Sequence, residues 1–170
     1  YDDYPHFSVH MDALEQLCKA YALHKSQHNL MDYDDLLFKW KWLLENVPAA
    51  RKRFTEQFRY IMVDEYQDTN YAQYLIVKRL GEHHHNVCVV GDDAQSIYSF
   101  RGAKIENILN FKHDYPEYTL YKLEQNYRST QTIVKAANSV IRKNRGQISK
   151  EVFSENEPGE PIQVVKASDD

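Results

Sequence analysis

The chain has 170 residues, 42% hydrophobic and 27% charged, which fits one compact domain or pieces of two and excludes a disordered class. No apolar stretch approaches the roughly 20 residues that a membrane span needs, so no membrane partner is expected. With 21 basic against 25 acidic residues and a formal net charge of −4, the balance opposes a module that coats duplex phosphates. It leaves room for a narrow groove that holds one strand by stacking.

The start, Tyr1-Asp2-Asp3-Tyr4-Pro5, is acidic and has neither an initiator Met nor a signal-peptide pattern. It reads as a fragment boundary in a cytoplasmic protein. Residues 8–28 read as a helix, with Val9, Ala13, Leu14, Leu17, Ala20, Tyr21 and Leu23 recurring at helical spacing. Asp32 is placed to cap a second helix, and Asp34 and Asp35 suit its positive end. Leu36, Leu37, Trp40, Leu43 and Leu44 give that helix an apolar face, and Pro48 ends or follows it.

Beyond Pro48 the pattern changes. Tyr60-Ile61-Met62-Val63 is a short β-rich run, the segment 71–80 is helical, and Val87-Cys88-Val89-Val90 is a second apolar strand. Thr119-Leu120-Tyr121-Lys122-Leu123 reads as a third strand. Apolar runs that are continuous rather than alternating, separated by helices, predict a parallel sheet covered on both faces. Thr130 is the expected cap of a further helix carrying Ile133, Val134, Ala137, Val140 and Ile141 on one face. A polar tail then leads to a lone strand at Ile162-Gln163-Val164-Val165. Cys18 and Cys88 have no partner motif, and Cys88, inside its apolar run, is expected as a buried reduced thiol. Three adjacent histidines, His83-His84-His85, cannot all face one ion from regular structure and read as a polar turn.

Three constellations carry chemistry, each where an apolar run ends. In a doubly wound sheet, ligands gather at the C-terminal strand ends, and there Asp64 and Glu65 follow Ile61-Met62-Val63. An Asp so placed suits a nucleotide-bound Mg²⁺, and the Glu suits the attacking water beside it. A bare Asp-Glu pair reads more readily as a solvated acidic turn; the apolar run before it and Tyr66-Gln67-Asp68-Thr69-Asn70 after it reverse that in favour of the site. The second constellation runs from Val90 to Ala103. Gly91 permits a tight exit, Gln95 offers an amide that can sense a phosphate or its water, and Arg101 can fork onto phosphate oxygens. Tyr98 and Phe100 suit stacking on unpaired bases, worth about 1–3 kcal/mol each, the alternative being that both rings fill the core. In the third, Leu123-Glu124-Gln125-Asn126-Tyr127-Arg128-Ser129-Thr130, Arg128 can neutralise charge on a transferring phosphoryl group and Tyr127 can stack on a base. The alternative is a surface Arg beside a helix cap.

Together these segments resemble motifs II, III and IV of the UvrD/PcrA/Rep group of superfamily 1 DNA helicases. Met31-Asp32-Tyr33-Asp34-Asp35-Leu36-Leu37 resembles the segment preceding motif II in that group, and the likeness covers about residues 28–160. It implies an α/β, RecA-like P-loop NTPase motor domain, partial, with a parallel sheet and flanking helices. The implied activity is ATP-dependent 3′→5′ movement on single-stranded DNA with duplex separation, using ATP and Mg²⁺. By motif, Asp64 is the Mg²⁺ residue, Glu65 the base and Gln95 the γ-phosphate sensor. Arg101 and Arg128 contact phosphates, Tyr127 stacks on the base, and Tyr98 with Phe100 form the single-strand platform.

The chain departs from the pattern in two places. Phe100 stands where Trp is usual, and no Gly-Lys-Ser/Thr occurs, since Gly81, Gly91, Gly102, Gly146 and Gly159 precede Glu, Asp, Ala, Gln and Glu. The phosphate-loop half of the motor is therefore lacking, and the chain alone is expected to be inactive. The expected division is the end of an inserted helical subdomain at 1–28, the second half of the first motor domain at 29–124, and the start of the second at 125–170. Exposed strand edges are expected to be covered by self-association or by the 162–165 strand. The alternatives are a helicase subunit of a RecB/AddA-like helicase-nuclease, a non-catalytic nucleic-acid-binding module of the same fold, and a stand-alone Mg²⁺-dependent hydrolase.

Overall fold

The computed structural model describes residues 5–166 of an α/β chain; the acidic start Tyr1–Tyr4 lies outside them. A 3-10 turn, Pro5–His10, leads into helix α1, Met11–Gln27. Helix α2, Tyr33–Asn46, begins as the sequence predicts. The Asp32 side chain accepts the Asp35 N–H while the Asp35 side chain accepts the Asp32 N–H, a reciprocal cap. The Lys25 ammonium lies 2.8 Å from the Asp32 carboxylate and 2.7 Å from that of Asp35, which ties the end of α1 to the start of α2. Pro48 does more than follow α2. It is the first residue of helix α3, Pro48–Gln57, where its missing N–H costs nothing.

Strand β1, Ile61–Val63, crosses through helix α4, Tyr71–Gly81, to strand β2, Val87–Val89, and the two strands pair in parallel with Met62 opposite Cys88. Helix α4 is capped by Asn70 and Gln73 in the same reciprocal way as α2. Leu44 of α2 is fully buried, in contact with Ile76 and Leu80 of α4, and Leu37, Phe54 and Ile61 close around them. This core covers one face of the sheet.

The other face is open among the described residues, contrary to the two-sided burial expected. Met62 is 79% exposed, and Cys88, predicted to be buried, is an exposed free thiol beside it. Side chains alternate along a strand, so Ile61 and Val87 face α4 while their neighbours point to the uncovered side. His83 and His84 form a turn, as expected, with the His84 ring 2.9 Å from the Phe58 carbonyl.

Past β2 the chain makes two short helices, α5, Glu106–Leu109, and α6, Phe111–Asp114. The predicted third strand at 119–123 does not form. Its residues are irregular, and Tyr121 and Leu123 are 82% and 86% exposed. The 162–165 strand is also absent, with Val164 91% exposed. Both runs have strand composition, but a strand exists only where a neighbour takes up its backbone groups, and none does among the described residues.

The last helix, α7, Gln131–Ile141, starts at Thr130 as expected, but the Thr130 side chain does not cap it. The carbonyls of Glu157 and Pro158 instead accept the N–H groups of Gln131 and Thr132, at 3.2 and 3.1 Å. A polar tail returning over the helix has replaced the side-chain cap. An isolated parallel bridge, Gln125 with Phe153, fixes the same return.

Candidate functional site

Because β1 and β2 are parallel, their C-terminal ends share one edge, and the loops leaving them are adjacent. The Val90 N–H donates to the Val63 carbonyl at 2.8 Å, and the Tyr66 N–H donates to the Val90 carbonyl at 2.9 Å. Asp64 and Glu65 stand exposed at this edge. Glu65 lies in the left-handed region, φ 50° and ψ 43°, which costs a non-glycine residue about 1 kcal/mol or more. The kink is held on both sides. The Asp64 carboxylate accepts the Glu65 N–H at 2.9 Å, and the Glu65 carbonyl accepts the Asp68 N–H at 2.9 Å.

Beneath the pair lies Gln67, only 1% exposed. Its amide nitrogen donates to Glu65 Oε2 at 2.8 Å and to Asp68 Oδ2 at 3.3 Å. Its amide oxygen accepts the Asp92 N–H at 3.0 Å, which crosses from the first loop to the second. The space for this amide exists because residue 91 is glycine. A Cβ there would lie 2.6 Å from Gln67 Oε1, 2.9 Å from Ile108 Cδ1 and 3.2 Å from the Tyr66 backbone nitrogen. Gly91→Ala should therefore destabilise the chain by about 1–3 kcal/mol, measured as a lower urea midpoint, since its buried neighbours must shift. An unchanged midpoint would show that the contact yields without cost.

The second loop continues with a short 3-10 turn, Asp93–Gln95. Asp92 Oδ2 accepts the Gln95 amide N–H at 2.9 Å, and Asp92 Oδ1 pairs with the Lys150 ammonium. Lys150 also reaches Asp93 at 3.1 Å, and Asp93 accepts the Ile148 N–H at 2.8 Å. Burial alone would raise the Asp92 carboxyl, yet Lys150 and Gln95 outweigh it and hold the group below its ordinary range. Likewise burial would lower Lys150, and the two carboxylates hold it above its ordinary range. These contacts fasten the 148–150 segment to the end of β2.

The Tyr98 and Phe100 rings do not fill the core. They are 38% and 76% exposed, tilted at 46° with centroids 6.0 Å apart. The Arg101 guanidinium lies over both, 5.2 and 5.4 Å from their centroids, at cation–π range. Gly102 follows at φ 84°, a left-handed turn that suits glycine. Tyr127 and Arg128 stand on a different turn, whose form comes from Asn126 Oδ1 accepting the N–H groups of Arg128 and Ser129 at 2.9 and 2.8 Å. Tyr127 is 78% exposed, and its hydroxyl donates to Gln125 at 2.9 Å.

The structure thus joins Asp64, Glu65 and Gln95 through Gln67 and Asp92, and groups Tyr98, Phe100 and Arg101 separately. No hydrogen bond, ion pair or ring contact among the described residues links Tyr127 or Arg128 to either group. Sequence reasoning assigned no role to Gln67, Asp92, Asp93 or Lys150. Gln67 sat within the first quoted motif, but burial of its side chain has no sequence signal. Lys150 gave none at all.

A Mg²⁺ ion brought with a nucleotide fits the donor set at this edge. Asp64 offers a hard carboxylate oxygen that has no protein partner among the described residues, and Mg²⁺ is commonly held by one or two carboxylates plus substrate phosphates.

The family described as the UvrD/REP helicase N-terminal domain matches residues 4–116. The chain belongs to that family. A second family, the UvrD-like helicase C-terminal domain, matches residues 121–170. UvrD-like domains are RecA-like, which agrees with the parallel β1–β2 pair and its flanking helices. Among curated relatives, the ATP-dependent DNA helicases PcrA of Staphylococcus epidermidis and of Staphylococcus aureus are each 46% identical over 158 residues. That match covers 93% of this chain and 22% of each relative, so the chain spans about a fifth of their length. No helix among the described residues is long and apolar enough to cross a membrane.

Proposed function

We propose that this chain is a section of a cytoplasmic, ATP-dependent 3′→5′ DNA helicase that couples ATP hydrolysis to movement on single-stranded DNA. The observation that carries the reading is the shared strand edge, where Glu65 and Gln95 are linked through Gln67 and Asp92 within hydrogen-bonding distance. The naming of the relatives as ATP-dependent DNA helicases supports it. Residues 1–28 end an inserted helical subdomain, 29–124 belong to the first motor domain and 125–170 begin the second. The change of family match between residues 116 and 121 supports that division.

In this reading Asp64 would hold a nucleotide-bound Mg²⁺, which would supply neutralisation of phosphate charge. Glu65 orients the attacking water and takes its proton. Gln95 contacts the γ-phosphate, and through Asp92 its position is tied to Glu65. Arg101 and Arg128 contact phosphate oxygens, Arg128 from the second motor domain, and Tyr127 stacks on the nucleotide base. Tyr98 and Phe100 form the platform for single-stranded DNA, with their exposed faces available for base stacking.

Strand displacement tests the whole. The full-length protein should unwind a duplex with a 3′ single-stranded tail only when ATP is present, and the 170-residue chain, with no Gly-Lys-Ser/Thr, should not. Phe100→Ala should weaken single-strand binding by about 10-fold, in line with one lost stack. Unwinding without ATP, or undiminished binding by the Phe100 variant, would overturn the respective assignment. We further propose that the isolated chain associates with itself over the open sheet face carrying Met62 and Cys88, which would remove apolar area from water. Sedimentation at high concentration should show species above the monomer, and a purely monomeric profile counts against it.

A further inference from the structure

We propose that Gln67 is a positioning residue for the catalytic carboxylate and the physical link between the two strand-end loops. The inference rests on the reading of Glu65 as the base. Gln67 is among the largest fully buried side chains, although glutamine is usually exposed. Burying an amide is tolerated only when its hydrogen-bonding groups are met, and here both ends are. One end, Nε2, donates to Glu65 Oε2 at 2.8 Å. The other, Oε1, accepts the Asp92 N–H at 3.0 Å. Its backbone carbonyl meets the Ser96 hydroxyl at 3.4 Å.

The chemistry of an amide matters in this place. A single planar group offers a donor on one side and an acceptor on the other, so it can hold a carboxylate and a backbone N–H at once. Glutamate would present a second anion to Glu65 and Asp68, and leucine or methionine would offer neither contact. Glu65 itself is exposed and sits in a left-handed conformation, and its side chain caps no backbone N–H of the turn that follows. The bond from Gln67 fixes one of its two carboxylate oxygens and leaves the other for a water. Because the same amide grips Asp92, and Asp92 grips Gln95 at 2.9 Å, a shift of the second loop is transmitted to Glu65 by direct bonds. A rigid buried connector gives the base and the sensor one common position.

The test uses Gln67→Met, which keeps length and burial and removes both bonds, in the full-length protein and in the chain. In the chain, amide hydrogen exchange at Asp92 should accelerate at least about 10-fold, because its acceptor is gone. In the full-length protein, kcat for ATP should fall about 10- to 100-fold with KM changed less than about twofold, as expected when a hydrogen bond to a charged group is lost. On a Glu65→Gln background the same substitution should add nothing further to the loss, since its effect acts through that carboxylate. Wild-type kcat in Gln67→Met, or a loss that adds fully to that of Glu65→Gln, overturns the positioning role. Retained turnover in Glu65→Gln alone overturns the reading of Glu65 as base, and the present inference falls with it. Unchanged exchange at Asp92 overturns the link between the loops, whatever the enzyme does.

Discussion

Glu65→Gln in the full-length protein should lower ATP turnover by about 10²- to 10⁴-fold, the usual worth of a general base, and leave nucleotide binding within about twofold. The substitution changes charge and basicity but hardly size. Glu65 is exposed, its kink is held by backbone groups and by the Asp64 carboxylate, and the amide oxygen that replaces its carboxylate still accepts from Gln67 Nε2. Folding should therefore be little affected, within about 0.5 kcal/mol, as for surface changes generally. The substitution leaves the Asp64 carboxylate and its bond to the residue-65 N–H in place. Single-turnover phosphate release and equilibrium binding of a nucleotide analogue separate the two effects. Turnover retained in the variant would end the assignment of Glu65 as base, and lost binding would mean that the residue holds the nucleotide instead.

Leu44→Ala should destabilise the chain by about 2–5 kcal/mol, read as a fall in the urea midpoint of the helical signal. Leu44 is 0% exposed and meets Ile76 and Leu80 where α2, α4 and the sheet converge, with Leu37, Phe54 and Ile61 around them. Removing three carbons there leaves a cavity that helices fixed at three sites cannot easily close. Since whole domains are stable by only about 5–15 kcal/mol, the loss is a large share of the total. Leu36, about two turns earlier in the same helix, is 51% exposed. Leu36→Ala should cost no more than about 0.5 kcal/mol. Equal losses in the two variants would show that the α2–α4 contact is not the main core.

Much of this layout is legible in the residues. The Asp32 cap, the apolar spacing of α2, the helical segment 71–80 and the runs at 61–63 and 87–89 each gave the element that formed, because local backbone preference and burial pointed the same way. The exits from those strands carried the acidic pair and the Gly-Asp-Asp turn, which is why the candidate site was visible before any fold. The failures have one cause as well. Residues 119–123 and 162–165 look like strands, and Cys88 looks buried, only if a partner or a covering layer is assumed. Those depend on what lies beside a segment, which its own residues do not encode.

Sequence alone determined the family resemblance, the succession of α1, α2, β1, α4, β2 and α7, and the identities of Asp64, Glu65, Gln95, Tyr98, Phe100, Arg101, Tyr127 and Arg128 as candidates. Tertiary structure decided how they group. It set Glu65 and Gln95 on one hydrogen-bonded chain through a buried Gln67, brought Lys150 onto Asp92 and Asp93 from far along the sequence, and left Arg128 apart. The reason is physical. Motifs record which groups chemistry needs, whereas burial and hydrogen-bond partners arise only when parallel strands bring two distant loops to the same edge.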